Sequence, residues 1–195
     1  MFKKIIKLLC GLLTVALCSL FLYLYTIQES LLFKSEALVE NHKFSSPHTF
    51  EEVFFATEDG ARIHALHYRA DHPKGVVVYF HGRSGNLATY WGKFAGQFLS
   101  QDYDVIMMDY RGFGKSRGKL SQELFLKDAG LVYDYAAKLY APHQIVIYGC
   151  SLGTGIATYI ASQYEAKLLI LEAPYISILH LAMVEFPHVP KKLLS

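Results

Sequence analysis

Charged residues, cysteine, and repeated or low-complexity segments are all scarce in this chain of 195 residues. Only 18% of the residues are charged and the net charge is +2, with Lys3, Lys4 and Lys7 at the extreme N-terminus contributing three positive charges. We therefore expect no nucleic-acid partner, and the 52% hydrophobic content excludes a disordered protein. Three cysteines cannot form a disulfide framework. This composition predicts one globular domain.

The N-terminus contains an uncharged apolar run from Leu8 to Ile27. As a helix, its twenty residues would cover roughly 30 Å, the thickness of a bilayer core. Lysines precede the run, the first acidic residue is Glu29, and no A-x-A-like cleavage site follows. We predict a membrane anchor over residues 1–27, in a single-pass protein whose domain lies on the non-cytoplasmic side. A cleaved signal peptide is the alternative.

Behind this run, residues 28–48 mix charged and apolar positions without strong periodicity, which predicts a juxtamembrane linker with one short helix. Two β-prone runs then predict an antiparallel hairpin, and four short apolar runs indicate strands buried in a parallel sheet, with capped helices between them. The hairpin covers 50–57 and 61–68, the parallel strands cover 76–80, 104–109, 144–149 and 167–172, Asn86 and Ser121 are the caps, and a third helix covers 155–164.

This alternation of strands and helices predicts an α/β fold with a doubly wound, mostly parallel sheet. The connections between parallel strands should be right-handed, because a right-twisted strand followed by a helix packs back onto its sheet in that sense. We place a single folded domain over residues 49–195, after the anchor and the linker. The hairpin is the first element of this domain.

Ser151 stands in the pattern G-x-S-x-G, which runs from Gly149 to Gly153. The pattern follows an apolar strand and precedes a helix, as a nucleophile elbow requires. On such a sharp turn, side chains at 149 and 153 would collide with the neighbouring strand and helix. We predict that Ser151 is the catalytic nucleophile and that Cys150 packs in the core beneath it. The alternative is an ordinary glycine-rich turn.

The sequence HGRSGN follows another apolar strand and begins at His81. In hydrolases with a nucleophile elbow, the loop at this place supplies one backbone N–H of the oxyanion hole, and the residue after the nucleophile supplies the other. The predicted donors are Arg83, or its immediate neighbours, and Leu152. His81 should shape this loop, because the catalytic base of such enzymes follows the serine in the chain. A plain strand-to-helix turn is the alternative.

Four motifs in this order resemble the membrane-anchored α/β-hydrolase-domain proteins, a family of serine hydrolases. They are HGRSGN at 81–86, DYRGFGKSRG at 109–118, GCSLG at 149–153 and LEAPYISI at 171–178. The resemblance covers residues 50–190 and implies a sheet of the α/β-hydrolase type. It also implies an esterase, lipase or thioesterase that acts on an acyl ester or thioester of a small molecule or lipid, without a metal or organic cofactor.

The resemblance ends on the C-terminal side. Members of this family carry two further strands that deliver the triad acid and the catalytic histidine, whereas no aspartate follows Asp134 here. We therefore expect a fold that is incomplete at its C-terminus and a chain with little activity. A compressed triad of Glu172 with His180 or His188 is disfavoured, because no strand intervenes to bring an imidazole over Ser151. The alternative function is a catalytically inactive, truncated and membrane-tethered binding module.

Overall fold

The computed structural model describes residues 2–185 and 187–189, and the chain forms two compact units, Met1–Phe33 and Lys34–Ser195. The first unit is helix α1, Phe2–Leu32. Its stretch Phe2–Thr26 has a mean hydropathy of 2.4 and is long and apolar enough to cross a membrane. A signal sequence near an N-terminus has similar properties. The length and composition of α1 therefore fit both the predicted anchor and its alternative.

Within its described residues, the second unit contains eight strands, six of which form one sheet. The strands are β1 (Lys34–Ser35), β2 (Phe50–Ala56), β3 (Arg62–Tyr68), β4 (Val76–Phe80), β5 (Ser84–Gly85), β6 (Asp104–Asp109), β7 (Ile145–Cys150) and β8 (Leu168–Glu172). The sheet has the order β2-β3-β6-β4-β7-β8. β2 and β3 form the predicted antiparallel hairpin, and β3 is antiparallel to β6. β6, β4, β7 and β8 are parallel, which confirms the predicted α/β fold class.

Helices connect the parallel strands at the predicted places. Ser121 caps the helix α3 (Gln122–Ala137) by accepting a hydrogen bond from the Leu124 N–H. The helix α4 (Leu152–Gln163) begins three residues earlier than predicted, because the turn at Ser151 leads directly into it. The helical run after Asn86 is less regular than predicted, with a π turn at Leu87–Trp91 and a 3-10 turn at Gly92–Phe94. The α-helices of the second unit are α2 (Ala95–Leu99), α3 (Gln122–Ala137), α4 (Leu152–Gln163) and α5 (Ile178–Glu185).

The core lies on both faces of the central strands. Every residue of β4 and β6 is buried, which agrees with their continuous apolar runs. The outer strand β8 is more open, and its Leu168 is 52% exposed. The carboxyl ends of β4 and β7 lie side by side, with Phe80 paired to Gly149. This pairing brings the two motifs that follow these strands to one edge of the sheet.

Residues 28–48, the predicted linker, contain the end of a helix and then an irregular segment. Helix α1 continues to Leu32, and residues 33–48 contain no helix, so the prediction of a short helix there is wrong. The reason is that the backbone of residues 34–38 pairs with loops of the second unit instead of with itself. The second compact unit begins at Lys34, and the domain boundary at residue 49 stays a prediction.

Candidate active site

Ser151 occupies the sharp turn between β7 and α4. Its backbone angles are φ 49° and ψ −114°, a strained conformation for a residue with a side chain. The Ser151 N–H donates to the Glu172 carbonyl oxygen at 2.9 Å, and the Ser151 carbonyl oxygen accepts from the Thr154 N–H at 2.9 Å. The strand ladder and the first turn of the helix therefore hold the serine from both sides.

The two glycines of the motif are required by close packing. A β-carbon at Gly149 would lie 2.4 Å from the Gly153 carbonyl oxygen, and one at Gly153 would lie 2.0 Å from the Phe80 carbonyl oxygen. Both distances are far below van der Waals contact, so only glycine allows α4 to begin directly against the ends of β4 and β7. This confirms the predicted collision at positions 149 and 153.

The loop of residues 81–86, here called the HG loop, lies next to Ser151. A β-carbon at Gly82 would be 3.6 Å from the Ser151 Cβ and 2.9 Å from the Trp91 Cζ2. The loop and the serine that are predicted to act together are thus neighbours in space, although Gly82 and Ser151 lie far apart in the chain. Leu152 follows as the first residue of α4. The roles of Arg83 and Leu152 as oxyanion donors stay predictions.

A buried polar cluster supports the HG loop from below. The His81 Nδ1–H donates to the Gly82 carbonyl oxygen at 2.6 Å, and the His81 Nε2 lies 3.5 Å from the Asp109 Oδ1. His64 Nδ1 lies 3.9 Å from the other oxygen of the same carboxylate. Burial opposes ionisation of Asp109, but the two imidazoles favour it more strongly, and the pKa of Asp109 is lowered. The Asp109 carboxylate therefore lies beside both imidazoles beneath the loop.

Trp91 and Asn86 hold the other end of the HG loop. The Trp91 Nε1–H donates to the Ser84 carbonyl oxygen at 2.7 Å, and the indole ring stacks on the His81 imidazole at 5.6 Å between centroids. The Asn86 Oδ1 accepts from the N–H groups of Ala88 and Thr89, each at 2.9 Å, which confirms its predicted role as a helix cap. The loop is therefore bonded at its beginning, middle and end.

The structure does not assemble the disfavoured triad. The Glu172 Oε2 accepts from the Tyr148 hydroxyl at 2.7 Å, while His180 and His188 are exposed. Among the described residues, no hydrogen bond joins the Ser151 side chain to an imidazole or a carboxylate. Within the same residues, no group of three or more His, Cys, Asp and Glu side chains could hold a metal ion.

Cys150 precedes the serine and is half-buried against the core, as predicted. Burial, together with the nearby Glu172 carboxylate, raises the pKa of the Cys150 thiol to about 11. The thiol therefore stays protonated near neutral pH and is a poor nucleophile. This chemistry leaves the hydroxyl of Ser151 as the candidate nucleophile of the turn.

Sequence reasoning missed the polar residues beneath the HG loop. Asp109 ends the apolar run of β6, and His64 lies in the middle of the β-prone run of β3. Both are fully buried. A titratable residue inside a buried strand normally has a polar partner. The presence of His64 and Asp109 within strand runs was therefore the signal in the sequence for a polar network. The partner residues could not be read from it.

The sheet order and the strand–turn–helix arrangement at Ser151 define a protein of the α/β-hydrolase fold. An esterase of Pyrococcus furiosus has a similar solved structure, with a TM-score of 0.64 and 20% identity over 84% of this chain and 65% of that one. The family model described as "Serine aminopeptidase, S33" matches residues 71–195. The chain therefore belongs to this family of α/β-hydrolases.

Two curated relatives show how far the similarity extends. An uncharacterized protein of Acanthamoeba polyphaga mimivirus is 30% identical over 149 residues, which are 70% of this chain and 50% of that protein. Lysophosphatidylserine lipase ABHD12 of Danio rerio is 33% identical over 120 residues, which are 57% of this chain and 30% of that protein. The chain thus spans half the length of the first relative and about a third of the second.

Proposed function

We propose that the protein is a serine hydrolase that cleaves acyl esters or thioesters, with Ser151 as the nucleophile. The observation that carries this proposal is the strained turn at Ser151, with φ 49°, directly beside Gly82 of the HG loop. Strained backbone at a residue other than glycine is costly, and it clusters at functional sites. Membership of an α/β-hydrolase family supports the same chemistry.

In this proposal, the backbone N–H groups of Arg83 and Leu152 stabilise the negative oxygen that forms when the serine attacks an acyl carbonyl. Leu152 begins α4, and N–H groups in the first turn of a helix have no partner within the helix. Such a group favours a developing anion, and the helix dipole adds to the effect. Gly82 carries no side chain, which lets the loop pack closely against Trp91 and Ser151.

We further propose a lipid or another small acyl ester as the substrate and the membrane as the place of action. The named lipase among the relatives supports a lipid ester, and the apolar stretch Phe2–Thr26 supports an anchor. Lysines before the stretch favour a cytoplasmic N-terminus, with the hydrolase domain on the non-cytoplasmic side. The proposed mechanism uses the serine, the backbone donors and a general base that takes the serine proton as the acyl bond forms, and it requires no metal or organic cofactor.

A second candidate is a catalytically inactive binding module tethered to the membrane. One observation favours it: among the described residues, no hydrogen bond joins the Ser151 side chain to an imidazole. A neutral hydroxyl needs a positioned base, and general base assistance is typically worth about 10²-fold to 10⁴-fold in rate. A site with the turn and the loop but no base would bind acyl compounds without turnover.

A fluorophosphonate probe distinguishes the two candidates. The natural gene product would be expressed in membranes, exposed to the probe and analysed by mass spectrometry of the labelled peptide. We expect labelling at Ser151 and its loss in Ser151→Ala, together with loss of acyl-ester hydrolysis. Ser162→Ala is the matched control, because Ser162 lies on the same helix and is exposed.

Labelling that survives in Ser151→Ala would contradict the proposal, because the nucleophile would then lie elsewhere. A folded protein in which Ser151 resists the probe, while an acyl compound still binds, would instead support the binding module. Equal loss of labelling in Ser151→Ala and Ser162→Ala would indicate a general disturbance of α4 and would also count against a specific role for Ser151.

A further inference from the structure

Residues 34–38, here called the strap, pair with two separate loops of the second unit. In parallel register, Lys34 pairs with Ser84 and Ser35 pairs with Gly85 of the HG loop. The Leu38 N–H donates to the Gly114 carbonyl oxygen at 2.8 Å. The strap therefore connects the HG loop with the loop that follows β6.

The Glu36 carbonyl oxygen is the point where these contacts meet. It accepts from the Asn86 Nδ2 at 3.0 Å and from the Gly114 N–H at 2.9 Å. The Glu36 carboxylate also accepts from the Thr89 hydroxyl at 3.1 Å. Backbone groups outside a regular β-ladder need such hydrogen-bond partners. The ladder of β1 and β5 has only two residues in each strand and is not stable alone. The strap and the two loops consequently depend on each other for order.

These contacts extend to Ser151 through a short chain of neighbours. Asn86 joins the strap to the helical run that it caps, and Trp91 in that run donates to the Ser84 carbonyl oxygen. The Trp91 ring packs against Gly82, whose missing β-carbon would be 3.6 Å from the Ser151 Cβ. A displacement of the strap would therefore change the position of the HG loop beside the serine.

We infer that the strap positions the HG loop for catalysis, with Glu36 and Leu38 as positioning residues. The inference rests on the proposed function, because it takes the Arg83 N–H as an oxyanion donor. In this inference, the strap residues act through Asn86 and Gly114 and not directly on the substrate. Loss of one oxyanion donor typically lowers a rate by about 10²-fold to 10³-fold, and a misplacement of about 1 Å can cost 10²-fold. A loosened strap should therefore slow acylation of Ser151 by about tenfold or more.

The first test compares Leu38→Pro with Val39→Pro in the full chain. Proline at 38 removes the N–H that donates to Gly114, whereas Val39 is 68% exposed and its N–H makes no hydrogen bond among the described residues. Three quantities are measured: hydrogen exchange of residues 82–90, the rate of fluorophosphonate labelling at Ser151, and the melting temperature. We expect faster exchange and slower labelling in Leu38→Pro alone, with similar melting temperatures for both variants.

A second pair of variants leaves the backbone of the strap intact. Glu36→Ala removes the acceptor for the Thr89 hydroxyl, whereas Glu36→Gln keeps a side-chain oxygen at the same place. We expect slower labelling and faster exchange in Glu36→Ala and recovery of both in Glu36→Gln. If Leu38→Pro does not fold, this pair decides the question, because an exposed side-chain substitution leaves the core untouched.

Exchange and labelling that stay at the wild-type level in both Leu38→Pro and Glu36→Ala would overturn the inference. Equal effects of Leu38→Pro and Val39→Pro would also overturn it, because proline strain in general would then be the cause. If wild-type Ser151 is not labelled at all, the proposed function fails, while hydrogen exchange of residues 82–90 still shows whether the strap orders the loop.

Discussion

Loss of the Asp128 carboxylate should destabilise the second unit strongly, because it leaves a buried guanidinium short of partners. The Arg111 side chain is 1% exposed, and its Nε and Nη2 donate to the Asp128 carboxylate at 2.6 and 2.9 Å. Its Nη1 and Nη2 also donate to the Asp59 carboxylate at 2.5 and 2.9 Å. The hydrogen bonds to Asp128, followed by those to Asp59, raise the pKa of Arg111, so the guanidinium stays positively charged.

The expected magnitude follows from this double pairing. Removal of one partner from a buried ion pair costs about 3–5 kcal/mol, and Asp59 still satisfies part of the guanidinium. We therefore expect Asp128→Ala to lower the free energy of unfolding by about 3 kcal/mol, which corresponds to roughly 6–12 °C in melting temperature for a unit of this size. Asp128→Asn keeps an acceptor for Nε and should lose less.

Thermal unfolding of the detergent-solubilised chain measures this effect, followed by the fluorescence of Trp91, the single tryptophan. Lys127→Ala is the matched control on the same helix, because the pair of Lys127 with Glu123 is exposed and should contribute nothing measurable. A change of under about 2 °C in Asp128→Ala, or equal losses in Asp128→Ala and Lys127→Ala, would refute the reasoning.

Three further predictions concern the turn, a buried histidine and the N-terminus. Gly153→Ala should lower the melting temperature and abolish labelling of Ser151, because the new β-carbon would lie 2.0 Å from the Phe80 carbonyl oxygen. Gly130→Ala is the control, because its β-carbon would meet only the Tyr164 hydroxyl, at 3.3 Å, and equal results for the two variants would contradict the packing argument. Burial and the charge of Arg69 lower the pKa of His67 from its ordinary value of 6.5, although Asp104 opposes them. The unfolded chain therefore binds a proton more readily than the folded one, and stability is lost as the pH falls below 6.5. The melting temperature should therefore depend less on pH between about 7 and 5 in His67→Gln than in the wild type, and identical slopes would count against this. The mature protein should remain in the membrane with its N-terminus intact, and a mass spectrum showing a start near residue 28 would exclude the anchor.

The nucleophile turn was predictable because its determinants are local. The glycines at 149 and 153 are needed by atoms within a few residues or on the adjacent strand, and the apolar run before them marks a buried strand. The caps at Asn86 and Ser121 were predictable for the same reason, since their side chains bond to N–H groups two or three residues away. Contacts between residues this close in the chain can be predicted from the spacing of the residues.

The helical run after Asn86 shows where this reasoning stops. Its aromatic residues recur at helical spacing, but a β-carbon at Gly92 would lie 2.4 Å from the Leu87 carbonyl oxygen and 2.6 Å from the Tyr68 hydroxyl. The contact between Gly92 and Tyr68 of β3 arises only when the chain is folded. At this contact the run divides into a π turn, a 3-10 turn and an α-helix. No periodicity in the run itself indicates these breaks.

By itself, the amino-acid sequence determined the apolar N-terminal helix, the six strands of the large sheet, the caps and the turn that presents Ser151, because each depends on the order of neighbouring residues. Only the tertiary structure decided which distant groups meet. The pairing of residues 34–38 with the HG loop, the carboxylate of Asp109 between His64 and His81, and the double pairing of Arg111 all join segments far apart in the chain. Partners lower the cost of burying a polar group, and the sheet order determines which groups lie within reach of one another.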